Sequence, residues 1–168
     1  MLPNFSPTRG AQGYQQSNPS VLATVSLLGS LQIFKKAGMM QRLRKRSIQL
    51  TAMLETLLVQ SRFFVPLQEI TARYPETKEG SVTVGKPGFT IITPSDPEAR
   101  GAMLSLLILP VTEPEIMGKV FSTLMSFGVV GDKREPSVIR LSPAPLFNSL
   151  DDCQRAANAV GKAFELLL

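Results

Sequence analysis

The sequence predicts an α+β domain in which two long helices precede a short antiparallel or mixed sheet, with helices packed on one face of that sheet. Three observations support this class. Apolar residues recur every three or four positions in the first third of the chain, whereas runs rich in β-branched and large apolar residues start only near position 89. One helix-start signal lies between those later runs, and a second follows the last of them. A chain of 168 residues can bury one core of ordinary size.

The first helix follows a polar lead-in. Residues 1–16 are rich in Pro, Gly, Gln and Ser and show no hydrophobic period, so we expect an extended segment there. Asn18 suits a helix N-cap and Pro19 suits the first helical position, where no N–H is needed. From the residues alone, Asn18 is a cap with no further role. The helix should continue over Val21–Lys36 and end at Gly38, and its apolar composition predicts burial on most sides.

A second helix is predicted from Met39 to Gln60. Its apolar face has alternating spacings of three and four and consists of Met40, Leu43, Ser47, Leu50, Leu54 and Leu57. Its opposite face carries a basic cluster, Arg42, Arg44, Lys45 and Arg46. Such a cluster can be a nucleic-acid or nuclear-localisation patch, but at helical spacing it is more often a solvated surface, which is the interpretation we favour.

The middle of the chain changes from irregular structure to strands. Residues 62–88 are punctuated by Pro and Gly, with a predicted exposed loop at Glu76–Gly80 and a short helix over Leu67–Ala72. Strands are then predicted over Phe89–Thr93 and Met103–Leu109. Because a short turn-like segment joins these two strands, we expect them to pair antiparallel.

The last part alternates helices with a hairpin. A capping box from Thr112 to Glu115 predicts a helix over Pro114–Phe127, which Gly128 should end. A hairpin should follow, formed by Val129–Asp132 and Val138–Leu141.

A second capping box, from Ser149 to Asp152, predicts a final helix reaching Leu168.

Arg140 stands in the middle of the last predicted strand. Alternation places Ile139 and Leu141 on one face and Arg140 on the other, and Pro143 and Pro145 should end the strand. A guanidinium at the end of a rigid strand can hold a carboxylate through two parallel hydrogen bonds, each contributing about 1.5–3 kcal/mol. From spacing alone, an arginine on a solvated face is the commoner explanation.

Composition excludes several classes of function. The chain has no histidine, so it cannot form a Ser-His-Asp triad or a histidine metal site, and no metal site is predicted. Cys153 is the single cysteine, which excludes an internal disulfide and fits a reducing compartment. The net charge of +5 permits an anionic partner, but no nucleic-acid motif accompanies it. No signal peptide or membrane-spanning run is evident, so we expect a cytoplasmic protein without membrane or nucleic-acid partners.

Four segments, in the same order, resemble the C-terminal part of kynureninases, which are pyridoxal phosphate enzymes. Gly128–Arg134 and Val138–Asn148 resemble the family's succession "GVV-x-DKR … IR-x-x-P-x-PL-[YF]-N". The other two are Gly13–Pro19 and Phe89–Pro94, the latter continuing to Glu98–Gly101. Each motif is weak alone, but four in the right order are specific. The resemblance covers nearly the whole chain.

The resemblance implies a fold and a binding site. Residues 17–168 would form the small C-terminal domain of the aminotransferase-like pyridoxal phosphate fold, together with its connecting helices. By resemblance, Arg140 binds the α-carboxylate of the amino-acid substrate. Ser17 and Asn18 would line the same site, with Asn18 also contacting the cofactor. Phe147 replaces the tyrosine common at its place.

The resemblance also implies an activity. Kynureninases hydrolyse L-kynurenine or 3-hydroxy-L-kynurenine to L-alanine and anthranilate or 3-hydroxyanthranilate, in tryptophan catabolism and NAD biosynthesis, and the complete enzyme would be a homodimer. The family's Schiff-base lysine, ring aspartate, histidine and tryptophan lie upstream of the part this chain resembles. None of the eight lysines here lies in a motif like that of the cofactor lysine: Lys35, Lys36, Lys45, Lys78, Lys86, Lys119, Lys133 and Lys162. We therefore expect a C-terminal piece with no catalytic residue of its own, inactive in isolation.

Two alternatives stay open. The chain could be a catalytically dead module or remnant that pairs with a full-length kynureninase, because its apolar helices would accept a partner domain. It could also be a small basic nucleic-acid-binding protein that uses Arg42 to Arg46, which salt-sensitive binding would reveal. The preference between kynurenine and its 3-hydroxy form depends partly on residues outside the chain.

Overall fold

The structure is a computed structural model that describes residues 8–75 and 85–168. The predicted loop at Glu76–Gly80 lies outside the described residues. The chain divides into two compact units, Met1–Met40 and Gln41–Leu168.

The first unit contains a 3-10 turn at Ala11–Tyr14 and helix α1, Val21–Lys36. The prediction that Asn18 caps this helix is wrong. Ser20 is the N-cap, and its hydroxyl accepts a hydrogen bond from the N–H of Ala23 at 3.4 Å. A residue that precedes proline avoids helical backbone, so the chain stays extended until after Pro19.

Helix α1 ends as predicted but is not buried as predicted. Gly38 has φ 88, a left-handed conformation that suits glycine at a helix end. The described residues bury none of its side chains, and its exposed large apolar residues are Val21, Leu22, Val25, Leu27, Leu28, Leu31 and Ile33. A helix that is apolar all round normally lies inside a protein, so α1 offers an uncovered apolar surface.

Most of helix α2, Met39–Val59, belongs to the second unit. Its buried face consists of Leu43, Ser47, Leu50, Thr51, Leu54 and Leu58. The predicted buried face of α2 is therefore correct along the middle of the helix and wrong at both ends. Met40 is exposed, and Leu58, four residues after Leu54, is buried where Leu57 was expected.

The described residues form a four-stranded sheet in the order β1-β2-β4-β3, with every neighbouring pair antiparallel. The strands are Gly88–Ile91 (β1), Leu104–Leu109 (β2), Asp132–Arg134 (β3) and Val138–Leu141 (β4). The predicted strand pair and the hairpin are confirmed. The first hairpin strand starts later than predicted because the N–H of Val129 donates to the carbonyl of Leu124 at 2.9 Å and so closes the preceding helix.

The remaining helices are α3 (Ile70–Arg73, after a 3-10 turn at Leu67–Glu69), α4 (Pro114–Ser126) and α5 (Leu150–Glu165). The short helix and the helix ended by Gly128 are thus confirmed. The final helix is also confirmed, but it ends at Glu165 and does not reach Leu168 as predicted.

The two predicted capping boxes have different outcomes. The Ser149–Asp152 box is present in full, with both reciprocal hydrogen bonds. The box predicted at Thr112 is wrong: Glu113 precedes the helix, and its side chain caps no N–H among the described residues. The helix nevertheless starts at Pro114 as predicted, after a turn in which the N–H of Glu113 donates to the carbonyl of Pro110 at 3.2 Å.

The core lies on one face of the sheet. Cross-strand pairs such as Leu106 with Ile139 and Leu104 with Leu141 direct fully buried side chains towards α2, α4 and α5. Phe164 of α5 stacks on Phe89 with ring centroids 5.5 Å apart. Residues from all three helices share this core cluster, which confirms the predicted α+β class with helices on one face of the sheet.

A buried ion pair ties the loop after β1 to α2. The Arg100 side chain is 4% exposed, and its Nη2 lies 2.5 Å from Oε2 of Glu55, while its Nη1 donates to the carbonyl of Pro94 at 3.1 Å. Changing Glu55 to Gln removes the carboxylate that pairs with this guanidinium. Because the Glu55 side chain is 22% exposed, we expect a loss of about 2–3 kcal/mol in the free energy of unfolding, less than for a fully buried pair. Denaturant unfolding of the full chain measures this loss.

The matched control for Glu55→Gln is Glu165→Gln. Glu165 pairs with Arg62 at 3.3 Å, and both side chains are more than half exposed. Exposed pairs contribute at most about 1 kcal/mol. Equal losses for the two variants would contradict the importance assigned to the buried pair.

Candidate functional site

Arg140 lies on β4, on the sheet face opposite the core. Its neighbours Ile139 and Leu141 are buried, whereas the Arg140 side chain is 28% exposed. The predicted alternation of faces is therefore confirmed. The strand register places Ser105 of β2 and Asp132 of β3 on either side of Arg140. Two neighbouring strands thus flank the arginine at a solvent-accessible position.

Asp132 is the main partner of Arg140. The Arg140 Nε donates to Oδ2 of Asp132 at 2.7 Å, and its Nη2 donates to the same oxygen. The Nε of Arg134 also donates to this oxygen, at 3.0 Å. These contacts, first of all the hydrogen bond from Arg140, lower the pKa of Asp132 below its usual value. The carboxylate is therefore ionised at neutral pH.

The contact with Asp132 uses only one edge of the guanidinium. Nε and Nη2 form the side edge of the planar fork, and both bond to Asp132. The end edge, formed by Nη1 and the second N–H of Nη2, has no hydrogen-bond acceptor among residues 8–75 and 85–168. An end edge of this kind can bind both oxygens of a carboxylate. Arg140 is thus held in place while retaining donors for an anionic ligand.

The sequence patterns do not point to Asp132. The Asp-Lys-Arg stretch belongs to a segment that resembles the family motif, but no role for Asp132 follows from that resemblance. The hairpin offered a signal, because pairing across a short turn brings opposite charges on facing strands together. The shift of β3 relative to its predicted bounds is what places Asp132 directly opposite Arg140.

The segment after β4 borders an open cleft of about 690 Å³, lined in part by Leu141, Ser142, Phe147 and Asn148. Asn148 organises this segment: its Oδ1 accepts a hydrogen bond from the N–H of Ala144 at 2.7 Å. The next residue, Ser149, is the N-cap of α5. Phe147 is exposed and therefore available to a ligand or partner.

The basic cluster on α2 is more than the solvated surface that was predicted. The Nη2 of Arg46 donates to the carbonyl of Asn148 at 2.8 Å, and the guanidinium of Arg44 bonds to the carbonyl of Pro97. Arg42 and Lys45 are exposed. Two of the four cations therefore bind loops of their own unit, and the absence of a nucleic-acid partner stays a prediction.

Ser17 and Asn18 lie in an exposed, non-helical stretch of the first unit. The carbonyl of Ser17 accepts a hydrogen bond from Nε2 of Gln15 at 2.8 Å. Arg140 belongs to the second unit. The assembly of Ser17, Asn18 and Arg140 into one site stays a prediction.

Other chemistry finds little support in the part of the chain that the structure describes. Cys153 is buried, and burial is the main cause that raises the pKa of its thiol, so it is a poor nucleophile. Within residues 8–75 and 85–168, no three His, Cys, Asp or Glu side chains are grouped so as to hold a metal ion. The described helices include none that is both long and apolar enough to cross a membrane.

Comparisons with known proteins agree with the motif resemblance. A family model described as "Kynureninase C-terminal domain" matches residues 81–160. Kynureninases of Yarrowia lipolytica, Cryptococcus neoformans and Saccharomyces cerevisiae are 45%, 42% and 43% identical to the chain over 99%, 98% and 99% of its length. The chain spans 36%, 33% and 35% of these relatives, about a third of each. The chain is therefore similar, over nearly its whole length, to the C-terminal portion of kynureninases.

Proposed function

We propose that the chain is the C-terminal, substrate-binding part of a kynureninase that hydrolyses L-kynurenine or 3-hydroxy-L-kynurenine. The products would be L-alanine and anthranilate or 3-hydroxyanthranilate, placing the protein in tryptophan catabolism and NAD biosynthesis. One observation carries the proposal: Arg140, at the position where the family motif has its arginine, keeps the end edge of its guanidinium for a carboxylate. The resemblance to proteins named kynureninase supplies the substrate class.

In this proposal the chain binds and orients the substrate. Arg140 holds the α-carboxylate, while Ser17 and Asn18 approach the cofactor and the aromatic end of the substrate. Holding the carboxylate through two parallel bonds restricts rotation of the amino acid and so favours a reactive orientation.

The residues of this chain do not by themselves make a pyridoxal phosphate site. Asn18 has an exposed amide that could donate one hydrogen bond to the cofactor, but no lysine lies in a cofactor motif. Pyridoxal phosphate serves as an electron sink when bound. We therefore propose that another part of the enzyme supplies the reactive lysine and most cofactor contacts, and that the isolated chain is inactive.

The uncovered apolar surface of α1 supports a partner. Its seven exposed large apolar side chains would be covered by the rest of a complete enzyme, which we propose to be a cytoplasmic homodimer. The same surface supports the alternative, a catalytically dead module that pairs with a full-length kynureninase. The two proposals differ in whether the chain can complete an active site.

A hybrid enzyme tests the proposal. The C-terminal part of the Yarrowia lipolytica kynureninase is replaced by this chain, which is 45% identical to it. We expect the hybrid to release alanine from L-kynurenine, and we expect the chain alone to show neither a Schiff-base absorbance band with pyridoxal phosphate nor alanine release. A hybrid that folds and binds the cofactor without turnover would favour the dead module. Alanine release by the chain alone would refute its proposed inactivity.

A further inference from the structure

We infer that Asp132 is a positioning residue that holds the Arg140 guanidinium by its side edge, so that the end edge faces the substrate carboxylate. This inference rests on the function proposed above. It concerns a residue that does not touch the substrate itself and acts only through Arg140.

The first support is the geometry of the contact. Arginine has a long, flexible side chain, and an exposed guanidinium samples many orientations unless a partner fixes it. Here two N–H groups of the same edge, Nε and Nη2, converge on Oδ2 of Asp132. A planar group held at two points of one edge has its opposite donors aimed in a defined direction. Asp132 thus reduces the conformational entropy that the Arg140 side chain would lose when a ligand binds.

The second support is the rigidity of the backbone on which the pair stands. Asp132 and Arg140 are directly opposed residues of β3 and β4. Gly131, just before β3, allows a close approach of the two strands, because a Cβ there would lie 3.2 Å from the carbonyl oxygen of Arg140. A ladder of backbone hydrogen bonds therefore sets the separation of the two side chains, rather than a mobile loop.

The third support is the charge around the pair. A carboxylate beside Arg140 could instead compete with the substrate for the guanidinium. Competition would require Asp132 to occupy the end edge, whereas it occupies the side edge. Arg134 contacts the same carboxylate oxygen, so the group formed by Asp132, Arg134 and Arg140 keeps a net positive charge. That balance suits the binding of an anion.

The hybrid enzyme tests this role through Asp132→Asn, which removes the charge at nearly constant shape. We expect the KM for L-kynurenine to rise about tenfold, with cofactor loading unchanged and kcat changed by less than about twofold. In a background that already carries Arg140→Lys, the same change should add almost nothing, since residues that act through one another are not additive. The matched control is Glu135→Gln on the same hairpin, where Glu135 pairs with Lys133 at 2.9 Å. Its KM should stay at the wild-type value.

The outcomes separate this inference from the proposed function. If Arg140→Lys raises KM but Asp132→Asn leaves it unchanged, the positioning role is refuted and the proposed function stands. A lower KM in Asp132→Asn would show competition instead of positioning. If neither variant alters KM, the carboxylate-binding role of Arg140 fails as well.

A measurement on the full chain itself does not depend on catalysis. The Nε–H of a paired arginine exchanges slowly with water and gives a distinct nitrogen–proton NMR signal. We expect the Arg140 signal to be visible in the wild-type chain and in Glu135→Gln, and to broaden or vanish in Asp132→Asn. An Arg140 signal that is the same in all three proteins would overturn the inference. A merely structural role would instead lower the melting temperature without changing this signal.

Discussion

In the hybrid enzyme, Arg140→Lys is expected to raise the KM for L-kynurenine by about 10- to 100-fold, because lysine cannot supply the planar fork. The estimate corresponds to the loss of one charge-assisted hydrogen bond, roughly 1.5–3 kcal/mol. Cofactor loading should not change, since no cofactor contact is assigned to Arg140. Steady-state kinetics over a range of kynurenine concentrations, together with the absorbance of the bound cofactor, measures both quantities.

The control for this prediction is Arg134→Lys. Arg134 contacts the same aspartate oxygen but is largely exposed, so its replacement should alter KM only slightly. Unchanged turnover of the Arg140→Lys hybrid at low kynurenine would count against the assignment of Arg140. An equal rise in KM for both variants would mean that the fork of Arg140 has no special role in binding the substrate, since both variants keep the positive charge.

The largest expected effect on stability comes from Phe164→Ala. Phe164 is fully buried and stacks on Phe63 and Phe89, with ring centroids 5.4 and 5.5 Å away. Truncation removes a large apolar group and leaves a cavity between α5 and the sheet, so we expect a loss of about 3–5 kcal/mol in the free energy of unfolding. Denaturant unfolding of the full chain measures it.

Two further variants make the Phe164 result interpretable. Phe147→Ala removes a ring that is 78% exposed and should change stability by less than about 0.5 kcal/mol. Phe164→Leu keeps most of the buried volume and should lose less than the alanine variant, about 1–2 kcal/mol, so a measurable protein remains if the alanine variant does not fold. Similar losses for Phe147→Ala and Phe164→Ala would contradict the description of the core.

The sequence by itself determined the features that depend on residues close together in the chain. The alternation of apolar residues with Arg140 along the strand predicted the face of the sheet on which Arg140 lies, because successive strand side chains point to opposite faces. The capping box at Ser149 and the end of a helix at Gly128 were also predictable, since each depends on a few consecutive residues. The resemblance to kynureninases also rests on local features, namely four short motifs in the right order.

Only the tertiary structure decided the contacts between distant residues. The bond between Arg46 and Asn148 and the buried pair of Arg100 and Glu55 join residues far apart in the chain. The partnership of Asp132 with Arg140 depends on the strand register, which places the two residues directly opposite each other across the hairpin. The physical reason is that local patterns report backbone preference and the faces of single elements. Which side chains meet is decided by how those elements pack.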